Sequence, residues 1–454
     1  MTQYRPYILL SILAGLAFHA TVSAAQERIV VDETARTGLA LTVYQDGFGI
    51  VHDRRRIELQ DGAIDLSFEE VARRLMPETV LLSVSGADVL EQSFDFDVLT
   101  PQSLIARSVG REVQVYRPHP ETGEDRSETA RILSTEQGVV LEVGGRIELL
   151  GALPGRLVFS ELPEGLHRRP QLSARLSGAQ AGPSAARLTY QSEGLRWSAE
   201  YVGILHEDDD RLALTARAAI TNESGLDFPE AEVELVAGDL QRVESAQPER
   251  NRRVMLMQAA GRAAAESTEQ PLFGYHLYRL GEALTLSDNE TRRRVLFQAP
   301  EIKAEKTYRF AARSLSSWDR PLAVTLGLDF ENSDSNGLGR AMPEGVIRVY
   351  RADKDGRHRF LGEDRLSPAP ADTPVELALG RAFDVTVTAE AEDRRMIVNT
   401  RDRQVYEAVQ SYRVANAGDE AVTVELEQRM PGREWEILES SLPAGEETAD
   451  SARW

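Results

Sequence analysis

At 454 residues, with 42% apolar residues and a formal net charge of −21, the chain is longer than one core usually supports and too acidic to neutralise phosphates. Nucleic acid and anionic lipid are therefore excluded as favoured partners. The absence of cysteine excludes disulfides, thiolate metal sites, a catalytic thiol and a lipid-modified cysteine at a mature N-terminus.

The chain opens "MTQYRPYILLSILAGLAFHATVSAAQ". One positive residue, Arg5, precedes an apolar run from Tyr7 to Phe18, and small residues follow at Val22-Ser23-Ala24, the pattern of an export signal over residues 1–25. The apolar run falls short of the roughly 20 residues needed to span a bilayer, which disfavours an uncleaved anchor. The mature chain is expected to be periplasmic or secreted, with no transmembrane segment.

From Gly38, "GLALTVYQDGFGIVHDRRRIELQDGAIDLSF" alternates apolar and polar residues and is cut by Asp46-Gly47 and Asp61-Gly62. Asp-Gly supplies the positive backbone dihedral of a tight hairpin, so the stretch predicts three antiparallel strands. A short helical turn is expected over Phe68 to Leu75, stopped by Pro77. Strands resume in "PETVLLSVSGADVLEQSFDFDVL", and residues 107–150 read as a small inserted β unit, either a little barrel or an elaborated hairpin. "GRLVFSELPEGL" is expected to lead back to the parent domain.

After a polar break comes "LTYQSEGLRWSAEYVGIL", in which Leu195, Trp197, Ala199 and Tyr201 share one face. A row of aromatics could stack on sugar rings. The spacing and the small Ala199 between the two rings favour a sandwich core, with Gly194 marking a bulge or close backbone approach. In "RLALTARAAITNESGLDFPEAEVELVAGDL", Leu212, Leu214, Ala216, Ala218 and Ile220 form an apolar face, Asn222 to Gly225 a turn, and "AEVELVAG" a strand returning alongside.

Over residues 241–270 the pattern dissolves into charge and alanine, a long linker for a compact domain. Met255, Leu256 and Met257 lie within it, either as a docking peptide or as part of a flexible crossover resting on a sheet. Strand patterns return at "GYHLYRLGEALTLSDNETRRRVLF" and continue through "EWEIL". The prediction is an all-β chain of antiparallel β-sandwich-like modules with a small inserted β unit. An N-terminal β domain would cover 26–186 and a C-terminal sandwich-like region 187–454.

"LTYQSEGLRWSAEYVGIL…LTARAAITNESGLDFPEAEVELVAGDL", "LGRAMPEGVIRVYRADKDGRHRFLGEDRL", "VELALGRAFDVTVTAEAED" and "YRVANAGDEAVTVELEQRMP" closely resemble the bacterial family called domain of unknown function 4139, some of whose members are labelled mucoidy-inhibitor-like. The resemblance runs from about Arg187 to the end, and "VYQDGFGIVHDRRRIELQDGAIDLSFEEVARRLMPETV" is similar to the N-terminal region such proteins often carry. It implies no established activity, cofactor or catalytic residue. Its label hints at surface polysaccharide. Such proteins usually continue past a segment like "ETADSARW" into a final strand or two, so the last sheet edge is expected to be incomplete.

Reactive constellations are sparse. No two histidines have local ligand spacing, and no nucleophile elbow, phosphate loop or dinucleotide fingerprint occurs. "HEDDD", His206 to Asp210, suits a charged loop tip better than a cation site. "ENSDSNGLG" resembles a calcium loop in spacing, but Pro343 stands where the twelfth-position glutamate belongs. "DKDG", Asp353 to Gly356, reads as a hairpin turn. No catalytic, cofactor-binding or metal-binding residue is assigned; Trp197, Tyr201, Met255, Leu256 and Met257 are the interaction candidates. The expectation is an exported, non-enzymatic envelope protein binding envelope proteins or surface polysaccharide. The alternative is a carbohydrate-active or other hydrolase with a site assembled from distant carboxylates.

Overall fold

The computed structural model describes residues 28–454 except 96–97, 120–121, 137, 151–155, 164–165, 168, 239, 241–266, 273, 402–403 and 433. The export signal and most of the 241–270 linker, including Met255, Leu256 and Met257, lie outside the described residues.

The chain is all-β, and its described residues form four sheets. A four-stranded sheet runs in the order Arg28–Val31, Gly62–Glu69, Gln171–Ala179, Asp88–Asp95. An eight-stranded sheet is centred on Arg36–Tyr44, Phe48–Leu59 and Gly182–Glu193. It faces an eleven-stranded sheet that contains Leu195–Leu205, Arg211–Asn222 and the long strands Glu290–Ala312 and Thr373–Asn399. One hydrophobic core collects Leu41 and Val43 from the eight-stranded sheet, Leu66 and Phe68 from the four-stranded one, and Leu214 and Ile347 from the eleven-stranded one. The expected boundary at 186/187 falls inside the strand Gly182–Glu193. Phe228–Ala237, from the C-terminal side, pairs in parallel with Arg36–Tyr44.

Two predicted reversals, at Asp61-Gly62 and Asn222–Gly225, are instead crossings between sheets. Asp46-Gly47 does close an antiparallel hairpin, with Gly47 at φ 87°. At Asp61-Gly62 the chain leaves the eight-stranded sheet for the four-stranded one, so the third predicted strand is real but does not pair with the second. The neighbouring strand turns the same corner. Leu59 pairs with Gly182 on one side of it and Gly62 with Ala179 on the other, so two hydrogen-bonded strands bend together. Asp61 Oδ1 pins the bend by accepting from the Ala181 amide at 2.8 Å. Sandwich corners are made by strands that switch sheets in this way.

The stretch from Leu188 to Leu205 crosses too. Gly194, at φ 83°, separates Gly182–Glu193 in one sheet from Leu195–Leu205 in the facing one. A Cβ there would stand 2.5 Å from the Glu223 carbonyl oxygen, so both the dihedral and the close approach require glycine. Asn222 to Gly225 make a third crossing, and "AEVELVAG" consequently does not run back beside Arg211–Asn222.

The expected helical turn over Phe68 to Leu75 is absent. Glu70 adopts φ 64°, and the amides of Ala72, Arg74 and Met76 bond to Tyr190 Oη, Ser224 O and Gln191 O, while Val71, Ala72 and Leu75 enter the core. Tertiary partners outweigh the local pattern. A helix does form at Pro101–Arg107, with a Thr100–Ser103 capping box and Pro101 at its first position. It leads into the inserted unit.

That unit is an open five-stranded sheet with its own small core of Val113, Val115, Ala130, Ile132, Leu141 and Val143, so it is not a closed barrel. Arg156–Val158, expected to rejoin the parent domain, instead pairs with Glu112–Pro118 and completes the insertion.

Glu290–Ala312, at 23 residues, and Thr373–Asn399, at 27, run out of the main core into a second one built on Phe310, Val324, Val385, Val387 and Leu426. "EWEIL" is not a strand; the Trp435 indole donates to Ala449 O at 3.0 Å. Ser451–Arg453 pairs with both Val424–Arg429 and Glu446–Glu447, so the segment expected at an incomplete edge is hydrogen-bonded on both sides. Among the described residues no helix is long and apolar enough to cross a membrane.

Candidate functional site

Trp197 and Tyr201 are 2% and 0% exposed. Trp197 donates from Nε1 to Val236 O at 2.9 Å in the facing sheet and meets Tyr278 edge-on at 6.1 Å. Tyr201 donates to Pro343 O at 2.7 Å, and burial pushes its phenol well above the ordinary tyrosine range. Neither ring presents a face to solvent, as sugar stacking would require. Trp197 ties the two sheets together, while Tyr201 anchors the loop that leads into Gly345–Ala352.

The acidic loop from His206 to Asp210 is a tight turn with Asp209 at φ 59°. Arg211 meets Asp208 at 2.6 Å and Glu301 at 2.5 Å, while Arg351 meets Asp209 at 3.2 Å. The Arg211 hydrogen bond holds the Asp208 carboxyl below the usual aspartate range. These carboxylates are engaged by guanidinium groups of their own chain, as in a charged loop tip.

"ENSDSNGLG" is likewise occupied. Asn332, fully buried, donates from Nδ2 to Arg340 O at 2.7 Å, Pro370 O at 2.8 Å and Ala369 O at 3.2 Å. Asn336 accepts from the Lys303 amide at 2.7 Å and donates to Lys303 O and Glu331 O at 3.0 Å. Both amide side chains close a loop through backbone groups. Among the described residues, no group of three His, Asp or Glu could hold a metal ion. Asp353 accepts from the amides of Asp355 and Arg357, which makes "DKDG" a turn between Gly345–Ala352 and His358–Leu366.

The densest buried polar cluster is one the sequence reading passed over. Arg55 has a side chain with no exposure. It donates to Asp53 Oδ2 from Nη2 at 2.8 Å and from Nε at 3.1 Å, and from Nη1 to Val31 O at 2.8 Å and Glu69 O at 2.9 Å. Its guanidinium carbon lies 5.6 Å from the centre of the Phe68 ring. Arg36 bonds the same carboxylate at 3.3 Å through both Nε and Nη2. Nearby, the Tyr190 hydroxyl accepts from the Ala72 amide at 3.2 Å, and burial pushes its pKa far above the ordinary tyrosine value. The guanidinium reaches from the eight-stranded sheet to carbonyls on the four-stranded one, so the cluster joins two layers. Its donors and acceptors are spent on each other and on backbone.

Two of the recesses among the described residues are shallow. One, beside the Pro101–Arg107 helix, contains Glu112 and Glu161, but both are largely exposed and paired with Arg131 at 3.2 Å and Arg111 at 3.8 Å. The other lies under Leu81 and Leu82 and carries Arg187 and Gln92. Neither places two carboxylates in a deep cleft of the kind acid–base hydrolysis uses.

His52 lies half-buried beside Thr189, with Nδ1 and Oγ1 3.2 Å apart, and burial lowers its pKa below the ordinary value of 6.5. The folded state thus binds this proton less readily than the unfolded chain. The associated stability is complete above about pH 6.5 and declines as pH falls through the folded value. Proton NMR titration should give a His52 midpoint below 6.5; a midpoint above it would contradict this burial effect.

Exposed apolar side chains are scattered over many elements, and two peripheral strand features carry several of them. On the outer strand of the inserted sheet, Ile147 and Leu149 are 71% and 77% exposed. On the hairpin of Thr373–Asn399 and Gln404–Asn416, Met396, Ile397, Tyr406 and Val409 are exposed.

The chain matches the model of a family described as a domain of unknown function, DUF4139, over residues 186–452. No curated protein matches it. The matched segment begins in the strand that turns at Gly194, takes in both long strands and covers more than half of the sequence, and the chain accordingly belongs to the DUF4139 family.

Proposed function

We propose that the chain is an exported, non-enzymatic protein of the cell envelope that works by binding other proteins or surface polymers. The observation that carries this reading is the placement of exposed apolar residues on two projecting β features, Ile147 and Leu149 on one and Tyr406 and Val409 on the other. Apolar side chains gathered on sheet edges suit docking by added strands or packed faces. The N-terminal pattern of Arg5, an apolar run and Val22-Ser23-Ala24 supports export to the periplasm or beyond.

The test is expression of the full-length chain in a bacterial host, followed by fractionation, N-terminal sequencing and cross-linking in intact cells. A mature chain that begins near Ala25 in the periplasm or medium, with cross-linked partners lost on Ile147→Asp/Leu149→Asp substitution, is expected. Recovery of the intact precursor from the cytoplasm would overturn the export reading. Partners unchanged by the double substitution would remove the inserted sheet from the binding account.

A further inference from the structure

The strand Gln404–Asn416 forms an outer edge of the eleven-stranded sheet, paired on one side with Thr373–Asn399. Its 13 residues, QVYEAVQSYRVAN, contain no proline and no glycine. The two register irregularities of this hairpin, at Glu392/Arg394 and Met396/Val398, both fall on the partner strand and leave the edge strand regular. Proteins ordinarily blunt a long free edge with proline, bulges or several charges, because its unpaired amides and carbonyls template further pairing. Here the edge carries only one acid and one base.

Those two charges have an informative spacing. Glu407 and Arg413 stand equally far from Gln410, so a two-fold axis through Gln410 would pair the strand with its own copy in antiparallel register. Glu407 would then lie opposite Arg413 of the partner subunit, and Arg413 opposite the partner's Glu407. The same register sets Tyr406 against the partner's Val414, an aromatic–β-branched pair of the kind that stabilises antiparallel sheets, and both side chains are exposed in the monomer. Glu407 meets Arg395 at 3.1 Å in its own hairpin, whereas Arg413 has no ion pair among the described residues.

The outer half of the hairpin supplies a second reason. Pairing between Trp318–Asn332 and Thr373–Asn399 ends at Ala389, so residues 390–399 and 404–411 continue as a two-stranded arm. An isolated two-stranded ribbon is marginal in water. About an axis at Gln410, residues 404–409 of each copy lie beside residues 411–416 of the other, and each arm gains a third strand.

We propose that two copies of this chain associate through the Gln404–Asn416 edges, centred on Gln410, to form one continuous antiparallel sheet. The interaction does not depend on where the protein resides or on what else it binds.

The cysteine-free sequence permits a direct test on the purified, mature full-length chain. Directly opposed residues of an antiparallel pair have Cβ atoms about 4.5–5.5 Å apart, within small adjustments of disulfide reach, so Gln410→Cys should give a disulfide-linked dimer on mild oxidation. Val405→Cys should not, because the two copies of residue 405 would be separated by roughly 34 Å along the strands. In sedimentation, the unaltered protein is expected as a dimer. Arg413→Glu, which sets two glutamates opposite each other twice, should weaken it by roughly tenfold or more, and Arg413→Glu combined with Glu407→Arg should restore it. A monomer throughout the accessible concentration range would overturn the proposal and leave the edge to a strand of another protein. A dimer indifferent to the charge reversals, or cross-linked equally at 405 and 410, would overturn it as well.

Discussion

Asp53→Ala is expected to lower folding stability by about 3–5 kcal/mol, the range for removing one member of a buried ion pair. The carboxylate sits between two guanidinium groups, with Arg55 at 2.8 Å and Arg36 at 3.3 Å, and the Arg55 side chain has no exposure. Alanine at 53 leaves two like charges in a layer junction with nothing between them. Arg55→Met should cost less, because Arg36 still neutralises Asp53 and the unbranched methionine fills much of the space. Its penalty comes from the carbonyls of Val31 and Glu69, which lose their donor, at about 1–3 kcal/mol for such an unmet group. The double variant Asp53→Ala/Arg55→Met should be more stable than the sum of the single losses implies, since the orphaned charge is gone. Denaturant midpoints of the four proteins measure this coupling; additive losses would show that the two residues act independently.

The signal for this cluster was present in "GFGIVHDRRRIEL". The apolar beat of Val51, Ile57 and Leu59 passes through positions 53 and 55, so an aspartate and an arginine occupy inward positions of a buried strand. A charge on the core side of a strict alternation requires a partner there, and the sequence supplied both members two residues apart. The strands themselves were legible for the same reason. Leu212, Leu214, Ala216, Ala218 and Ile220 are all buried, as their two-residue spacing predicts.

What the pattern could not decide was the sheet to which each strand belongs. Asp61-Gly62 and Asn222–Gly225 read as reversals and Gly194 as a bulge or close backbone approach, and the chain passes from one sheet to another at each. A turn residue fixes local dihedrals, while the choice between continuing a sheet and crossing to its facing layer is set by distant partners. At Gly62 that partner is the companion bend at Gly182, and at Gly194 it is the Glu223 carbonyl. The short helix at Pro101–Arg107 had a local signature in Thr100, Pro101 and Ser103 that the surrounding strand periodicity obscured. For the proposed dimer edge, the symmetric placement of Glu407 and Arg413 about Gln410 is visible in the sequence, but it acquires meaning only once that strand is known to be outermost.

Trp197→Ala should cost about 3–5 kcal/mol, the usual range for truncating a large aromatic in a core. The indole fills the space between the two large sheets, and its Nε1 donates across them to Val236 O at 2.9 Å. Trp197→Phe separates the two contributions: it keeps most of the apolar contact with Tyr278 but leaves the Val236 carbonyl without this side-chain donor, so a smaller loss of about 1–3 kcal/mol is expected. Denaturant unfolding of both variants provides the comparison. If Trp197 served a sugar instead, both variants would unfold like the original and lose oligosaccharide binding. Its 2% exposure argues for the opposite outcome, because a ring closed off by the facing sheet can reach a ligand only if the layers part. Parting them would break the Val236 bond together with the edge-on contact with Tyr278, so access to the ring is coupled to the loss of the packing that holds the sandwich shut.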